Sequence, residues 1–206
     1  MGTVDLIFSI AILIFSVIVH ELAHGYVAEY LGDPTARLAG RLTFNPVRHM
    51  DPVGSLLVPT LSYMMGGFIF GWARPVPYNP YNLKNQRWGT ALVAGAGVAA
   101  NLSIALIFSL FIRFNEVLSI NSEAFLSIAG TVVFLNILLA VFNLIPVPPI
   151  DGSKLLFAVL PFRFHYIEEF LERYSIALVL VLIFFLWRFI LPVVFFLFSL
   201  FTGVAF

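Results

Sequence analysis

Residues 6–19, 53–72, 89–112 and 124–146 carry no charged side chain, and residues 174–203 carry only Arg188. A helix that crosses the hydrocarbon core of a bilayer needs ~20 largely apolar residues. Inside lipid, every backbone amide must find its partner within the chain, which leaves helices as the simplest solution. The composition agrees, since 61% of the 206 residues are hydrophobic and 11% are charged, against about half and about a quarter in a soluble domain. Lipid is therefore the expected solvent, and a soluble globular enzyme or a disordered tail is excluded. Lys and Arg number 11 against 11 Asp and Glu, so no basic stripe for nucleic acid exists. Without cysteine there is no disulfide framework, thiolate metal site or cysteine nucleophile.

Segment 6–28 reads as a retained span. It is too long, and too polar at its end, for a cleaved leader, and Asp5 is the only charge before it. Segment 53–72 is interrupted by Pro59 and the Gly66-Gly67 pair. Polar connections fall at 29–52, 73–88 and 147–173, with no long linker and no repeat, so residues 1–206 form one domain with its core at 6–160. The run TARLAGRLTF alternates weakly and ends at Asn45-Pro46, which predicts a short strand or hairpin at the membrane edge. The expected fold is an all-α polytopic membrane protein. It has about four transmembrane helices, a re-entrant or interfacial segment, and short β or extended elements at the cytosolic edge.

The first span ends in His20-Glu21-Leu22-Ala23-His24, an HExxH pattern. On a helix, positions i and i+4 share a face one turn apart, so two imidazoles can meet one zinc ion with Glu21 beside them as a base. Ionisable groups inside an apolar span are costly and point to function. A catalytic zinc takes three protein ligands and keeps one position open. Position 30, where a metzincin places its third histidine, is Tyr30. His49, Asp51 and Asp151 are the remaining candidates. The first two lie in a polar connection. Asp151 closes Asn143-Leu144-Ile145-Pro146-Val147-Pro148-Pro149-Ile150-Asp151-Gly152, where three prolines stop helix and hold extended backbone at the membrane. Such backbone is tolerated at that depth only where it lines a cavity or is buried in protein.

Three elements together, HELAH at the end of an apolar span, the small-residue run AGAGVAAN, and NLIPVPPIDG, resemble the site-2 protease family of intramembrane zinc peptidases, in its short form without PDZ or CBS domains. The resemblance covers about residues 6–160. It implies one zinc per chain held by His20, His24 and Asp151, with Glu21 as catalytic base and a transmembrane protein as substrate. Asn101 by itself reads either as a donor to a carbonyl oxyanion or as an interhelical hydrogen bond; it also matches the family's conserved Asn, and the resemblance implies a place among the catalytic groups. Gly95-Ala96-Gly97 stands where the family carries Gly-Pro. Asn143 carries over as a substrate-binding residue. The last forty-six residues match no motif.

The run Phe70-Gly71-Trp72-Ala73-Arg74-Pro75-Val76-Pro77 favours extended backbone. It has two readings: an edge on which Trp72 and Arg74 meet an unwound substrate strand, or an interfacial loop anchored by that pair.

A shared ion also constrains the path of the chain. His20 and His24 end the first span and Asp151 follows segment 124–146, so an even number of crossings must separate them. Segments 89–112 and 124–146 supply two; segment 53–72 is then expected not to cross. On that path Arg37, Arg41, Arg48, Arg74, Lys84, Arg87, Lys154, Arg163 and Arg173 share one side, while Arg113 lies on the other. Cytoplasmic loops are enriched in Lys and Arg. The N-terminus is therefore expected outside and the site toward the cytosolic leaflet. A metal transporter is the rival reading, but it leaves Glu21 without a purpose and lacks an inverted repeat.

Overall fold

A computed structural model describes residues 3–58, 60, 61, 64, 72–181 and 187–204. The chain runs through α1 (Thr3–Tyr30), α2 (Thr35–Leu38), α3 (Gln86–Arg113), α4 (Glu123–Asn143), α5 (Asp151–Val159), α6 (His165–Arg173), α7 (Ser175–Val181) and α8 (Trp187–Thr202). Three helices are long and apolar enough to cross a membrane: Leu6–Tyr30, Gln86–Arg113 and Glu123–Asn143. The fourth expected span, 174–203, is described as the helices α7 and α8, and residues 182–186 between them lie outside the described residues.

Side-chain caps set where the spans begin. Asn85 accepts from the Trp88 amide at the start of α3, and Ser122 accepts from the Phe125 amide at the start of α4; each satisfies a donor that a helix N-terminus leaves unpaired. On α1, Leu6, Ile7, Phe8, Ile10, Leu13, Ile14 and Phe15 are exposed, whereas Ser16, Ile18, His20 and Leu22 are buried. The first half of that helix is exposed and apolar, and the second half packs on protein. The inner helix is α3, which packs against α1, α4, α5 and α8. Its buried face is built of small residues, among them Gly89, Ala91, Ala94, Gly97 and Ala105, which let neighbouring backbones approach closely. Around Ala105, Val133 and Ile137 of α4 meet Ile190, Val194 and Phe198 of α8 in an apolar core.

The strand expected in TARLAGRLTF is not there, and no strand occurs among the described residues. Local turn chemistry overrides the weak alternation. Asp33 Oδ1 accepts from the Thr35 amide and hydroxyl and starts the short helix α2. Gly40, at φ 63°, stops it: its amide donates to the Arg37 carbonyl and the Arg41 amide donates to the Ala36 carbonyl, the Schellman pattern that a left-handed glycine permits. A 3-10 turn over Pro46–His49 follows, capped by Asn45. The run from Trp72 to Asn79 is neither helix nor strand, and it is β/extended at Asn79, the cap of the following 3-10 turn.

Segment 53–72 begins as a π-helical turn, Val53–Leu57, with Asp51 Oδ1 accepting from the Val53 and Gly54 amides. Its expected bends, Pro59 and Gly66-Gly67, lie outside the described residues. Its two ends are described, and they touch. The Trp72 amide donates to the Gly54 carbonyl at 3.0 Å, and the Ser55 hydroxyl donates to the Trp72 carbonyl at 2.9 Å.

Asp33 ties this region together. Its buried carboxylate also accepts from the Asn79 amide at 2.6 Å and the Asn82 side chain at 2.8 Å. Burial pushes its carboxyl up, but the bonds from Thr35, Asn82 and Asn79 more than offset that and hold it below the usual aspartate range. Because the folded value is depressed, its stabilisation is fully present above the unfolded value of about 3.9 and is lost as pH falls through the lower folded one. Asp33→Ala is expected to cost about 1–3 kcal/mol by leaving buried donors unpaired. The acid-side loss of thermal stability expected of the native chain should be smaller in the variant, measured as melting of helical circular dichroism against pH in detergent.

Candidate metal centre

The HExxH turn lies on the protein-facing half of α1. The Nε2 atoms of His20 and His24 are 3.0 Å apart. Asp151, the first residue of α5, places Oδ2 3.1 Å from the first and 3.0 Å from the second. All three side chains are buried. Glu21 completes a looser set with the two histidines, its donor atom within 4.8 Å of theirs.

The rings' far sides fix what the near sides are. His20 Nδ1 is 2.6 Å from Asn101 Oδ1, and His24 Nδ1 is 2.7 Å from the Val93 carbonyl. Both partners only accept, so each Nδ1 carries a hydrogen and donates it. In the neutral rings each Nε2 is then a bare lone pair. Three electron-pair donors converge within 3.1 Å with no hydrogen among them, an arrangement that repels itself unless a cation joins it. The set fits zinc: bonds of about 2.0–2.1 Å at tetrahedral angles space their donors about 3.3 Å apart. The tighter set, His20, His24 and Asp151, fits as ligands, with Glu21 beside them. The other candidates for third ligand are engaged elsewhere. His49 Nε2 bonds the Thr43 carbonyl at 2.8 Å, and Asp51 caps the turn at Val53.

Each neighbour has a local reason for its place. A Cβ on Gly97 would stand 2.5 Å from His20 Cε1 and 2.6 Å from His24 Cε1, so glycine is what lets α3 lie against the histidine pair. A Cβ on Gly152 would collide with the Leu144 and Ile145 backbone. The Asp-Gly pair therefore lets α5 start hard against the end of α4.

Asn101 stands behind His20. Its Oδ1 accepts from the ring, and its Nδ2 donates to Asn136 Oδ1 at 2.8 Å. Asn136 Nδ2 donates onward to Ser16 Oγ at 2.9 Å and to the Val132 carbonyl. Asn101 is fully shielded between His20 and Asn136. Asn136 and Ser16 went unread in the sequence, although polar groups in uncharged spans were the available signal.

A cavity of about 370 Å³ opens on the metal-facing side. Its walls include His20, Glu21, His24, Pro75, Val76, Asn143, Asp151 and Lys154. Asn143 faces this space while its Nδ2 donates to the Leu139 carbonyl. The Val76 amide donates to Glu21 Oε2 at 2.7 Å, so the extended run lies directly over the base. That run is anchored by Arg74, whose amide donates to the His49 carbonyl and whose carbonyl accepts from Arg41 Nη2. The side chains of Trp72 and Arg74 line neither this cavity nor the larger one beside it. Lys154, unread in the sequence, places Nζ 3.1 Å from Asp151 Oδ1.

Comparison with known proteins agrees with this site. Residues 112–186 match the model of peptidase family M50. The chain is 40% identical over 154 residues to "Putative zinc metalloprotease YwhC" of Bacillus subtilis, a match covering 72% of this chain and 67% of that relative. It is 32% identical over 144 residues to "Putative zinc metalloprotease Rip2" of Mycolicibacterium smegmatis, covering 68% of this chain and 52% of that one. It is 30% identical over 141 residues to the protein of the same name from Mycobacterium tuberculosis, with 66% and 51% covered. The chain thus spans about half the length of the Rip2 relatives. No solved structure matches. The chain belongs to peptidase family M50, the site-2 protease family.

Gly97→Ala is expected to push the imidazoles apart and weaken divalent-metal binding about tenfold or more. Gly95→Ala, whose Cβ would sit 3.7 Å from Leu155 Cδ2, should bind as the native chain does. Metal titration of the two purified variants checks this.

Proposed function

We propose that this protein is an intramembrane zinc endopeptidase that cuts a peptide bond within or near a transmembrane segment of another protein. The observation that carries the proposal is the convergence of two bare imidazole nitrogens and a carboxylate oxygen within 3.1 Å at a cavity that also holds Glu21. His20, His24 and Asp151 would hold one zinc ion. When bound, zinc polarises a scissile carbonyl and makes water acidic enough to act as a nucleophile near neutral pH. Glu21 takes the water's proton on its carboxylate and returns it to the departing amine. The Val76 amide on Oε2 fixes which way that carboxylate faces. Asn101 holds His20 in the tautomer that binds metal. Asn143, on the cavity wall, meets the substrate backbone. So does the extended run 75–78, with Trp72 and Arg74 at its outer end. A helical substrate hides its amides in hydrogen bonds and has to unwind locally before the carbonyl can reach this site.

The same reading sets the topology. Gly54 and Trp72 are hydrogen-bonded to each other, whereas a crossing of the segment would part its two ends by ~30 Å. This supports a segment 53–72 that does not cross; the gathering of Lys and Arg on one side then supports an N-terminus outside and a site toward the cytosolic leaflet. Cysteines placed singly at Arg48 and Lys84, both exposed, should each resist a membrane-impermeant thiol reagent in intact cells and react once the cells are opened. Labelling at position 84 alone from outside would overturn this path.

Glu21→Gln is expected to keep stoichiometric zinc and lose cleavage of a model transmembrane substrate by a factor of about 10²–10⁴, the usual contribution of a general base. His20→Ala, His24→Ala and Asp151→Ala should each lose metal and activity together. Full activity in Glu21→Gln would sink the peptidase mechanism. Metal uptake by reconstituted vesicles, without cleavage of any substrate, would favour transport.

A further inference from the structure

Lys154 is a cation on the first turns of α5, four residues past the N-cap Ile150. That end of a helix favours anions, so local helix energetics do not account for it. Its surroundings do. Nζ lies 3.1 Å from Asp151 Oδ1 and 5.4 Å from the centre of the Tyr78 ring. The two oxygens of Asp151 therefore have separate partners: Oδ2 faces the histidine pair and Oδ1 faces the lysine. The i, i+3 spacing sets both groups on one side of α5, and the Tyr78 face holds the ammonium from the extended run opposite. Lys154 also stands where the metal cavity meets a second cavity of about 880 Å³, and it lines both.

We infer that Lys154 is a positioning residue: by holding Oδ1, it keeps Asp151 a one-oxygen ligand and leaves the position beside Glu21 open for water and the scissile carbonyl. A carboxylate released from the lysine can swing its second oxygen onto the ion and fill that position. The inference rests on the zinc reading above and concerns the ligand's denticity, which that reading leaves undetermined. It names no new ligand and no contact between lysine and metal.

The test uses the full-length chain in detergent, loaded with cobalt(II) as a spectroscopic probe or titrated with zinc. The native protein and Lys154→Arg are expected to give the intense visible bands of four-coordinate cobalt. Lys154→Met and Lys154→Gln are expected to give the weak bands of a higher-coordinate ion and to bind zinc about tenfold to a hundredfold more weakly, the usual penalty for losing a residue that orients a ligand. In the cleavage assay their loss should fall on kcat more than on KM. Helical circular dichroism controls for folding, and if the Met variant fails to fold the Gln variant carries the comparison. A native spectrum and native zinc affinity in a folded Met or Gln variant would overturn the role of Lys154 while leaving the zinc site intact. So would failure of a folded Arg variant to restore the four-coordinate bands. A native chain that binds no metal, or binds it equally well with His24→Ala, would overturn the zinc reading itself.

Discussion

Two imidazole lone pairs and a carboxylate oxygen held within 3.1 Å of one another, on helices that belong in lipid, are the constraint around which this molecule is built. Without a cation they repel. With one they form a site whose ligands come from the end of α1 and the start of α5, far apart in the chain. Bringing them together demands that α3 lie close against both histidines, which is why its facing surface is glycine and alanine. It also demands that α5 begin directly on the end of α4, which the Asp151-Gly152 step allows.

The supporting polar groups follow from the same constraint. A lone carboxamide in hydrocarbon is expensive, and a hydrogen bond between helices in a bilayer is typically worth only ~1 kcal/mol. The chain from His20 through Asn101 and Asn136 to Ser16 is therefore better understood as orientation than as stability. Each carboxamide has one way round that satisfies both neighbours, and that choice ends at His20 Nδ1, which must carry the hydrogen if Nε2 is to bind metal. Second-sphere groups of this kind commonly set ligand basicity and ring angle.

The wall over Glu21 obeys a different rule. Extended backbone is tolerated near hydrocarbon only where protein or a cavity receives its amides. Between residues 72 and 79 the partners are Gly54, Ser55, His49, Arg41, Glu21 and Asp33 in turn. Glu21 is thus part of what holds the wall, so its orientation and that of the run beside it are set together. The prolines at 75 and 77 have no amide to satisfy and keep the run from coiling.

Much of this was legible in the residues. Long uncharged runs, 89–112 and 124–146 and the shorter 6–19, announced the three spans, because lipid permits little else. Two histidines at helical spacing beside a glutamate announced the metal, because one face of one turn must hold both rings. Asp151 was named through the proline-rich stop before it and the likeness to a known family. The strand at TARLAGRLTF was misread because a capping aspartate and a left-handed glycine outweigh weak alternation over so short a run. What only the tertiary structure decided is which groups meet across helices: that Asn101 faces His20 and not the cavity, that Asn136 and Ser16 stand behind it, that Val76 covers Glu21, and that Lys154 takes the second oxygen of Asp151. Spacing along one helix is set by its 3.6-residue turn and can be read from sequence. The rotation of one helix against another depends on packing summed over the whole interface, and no local pattern encodes it.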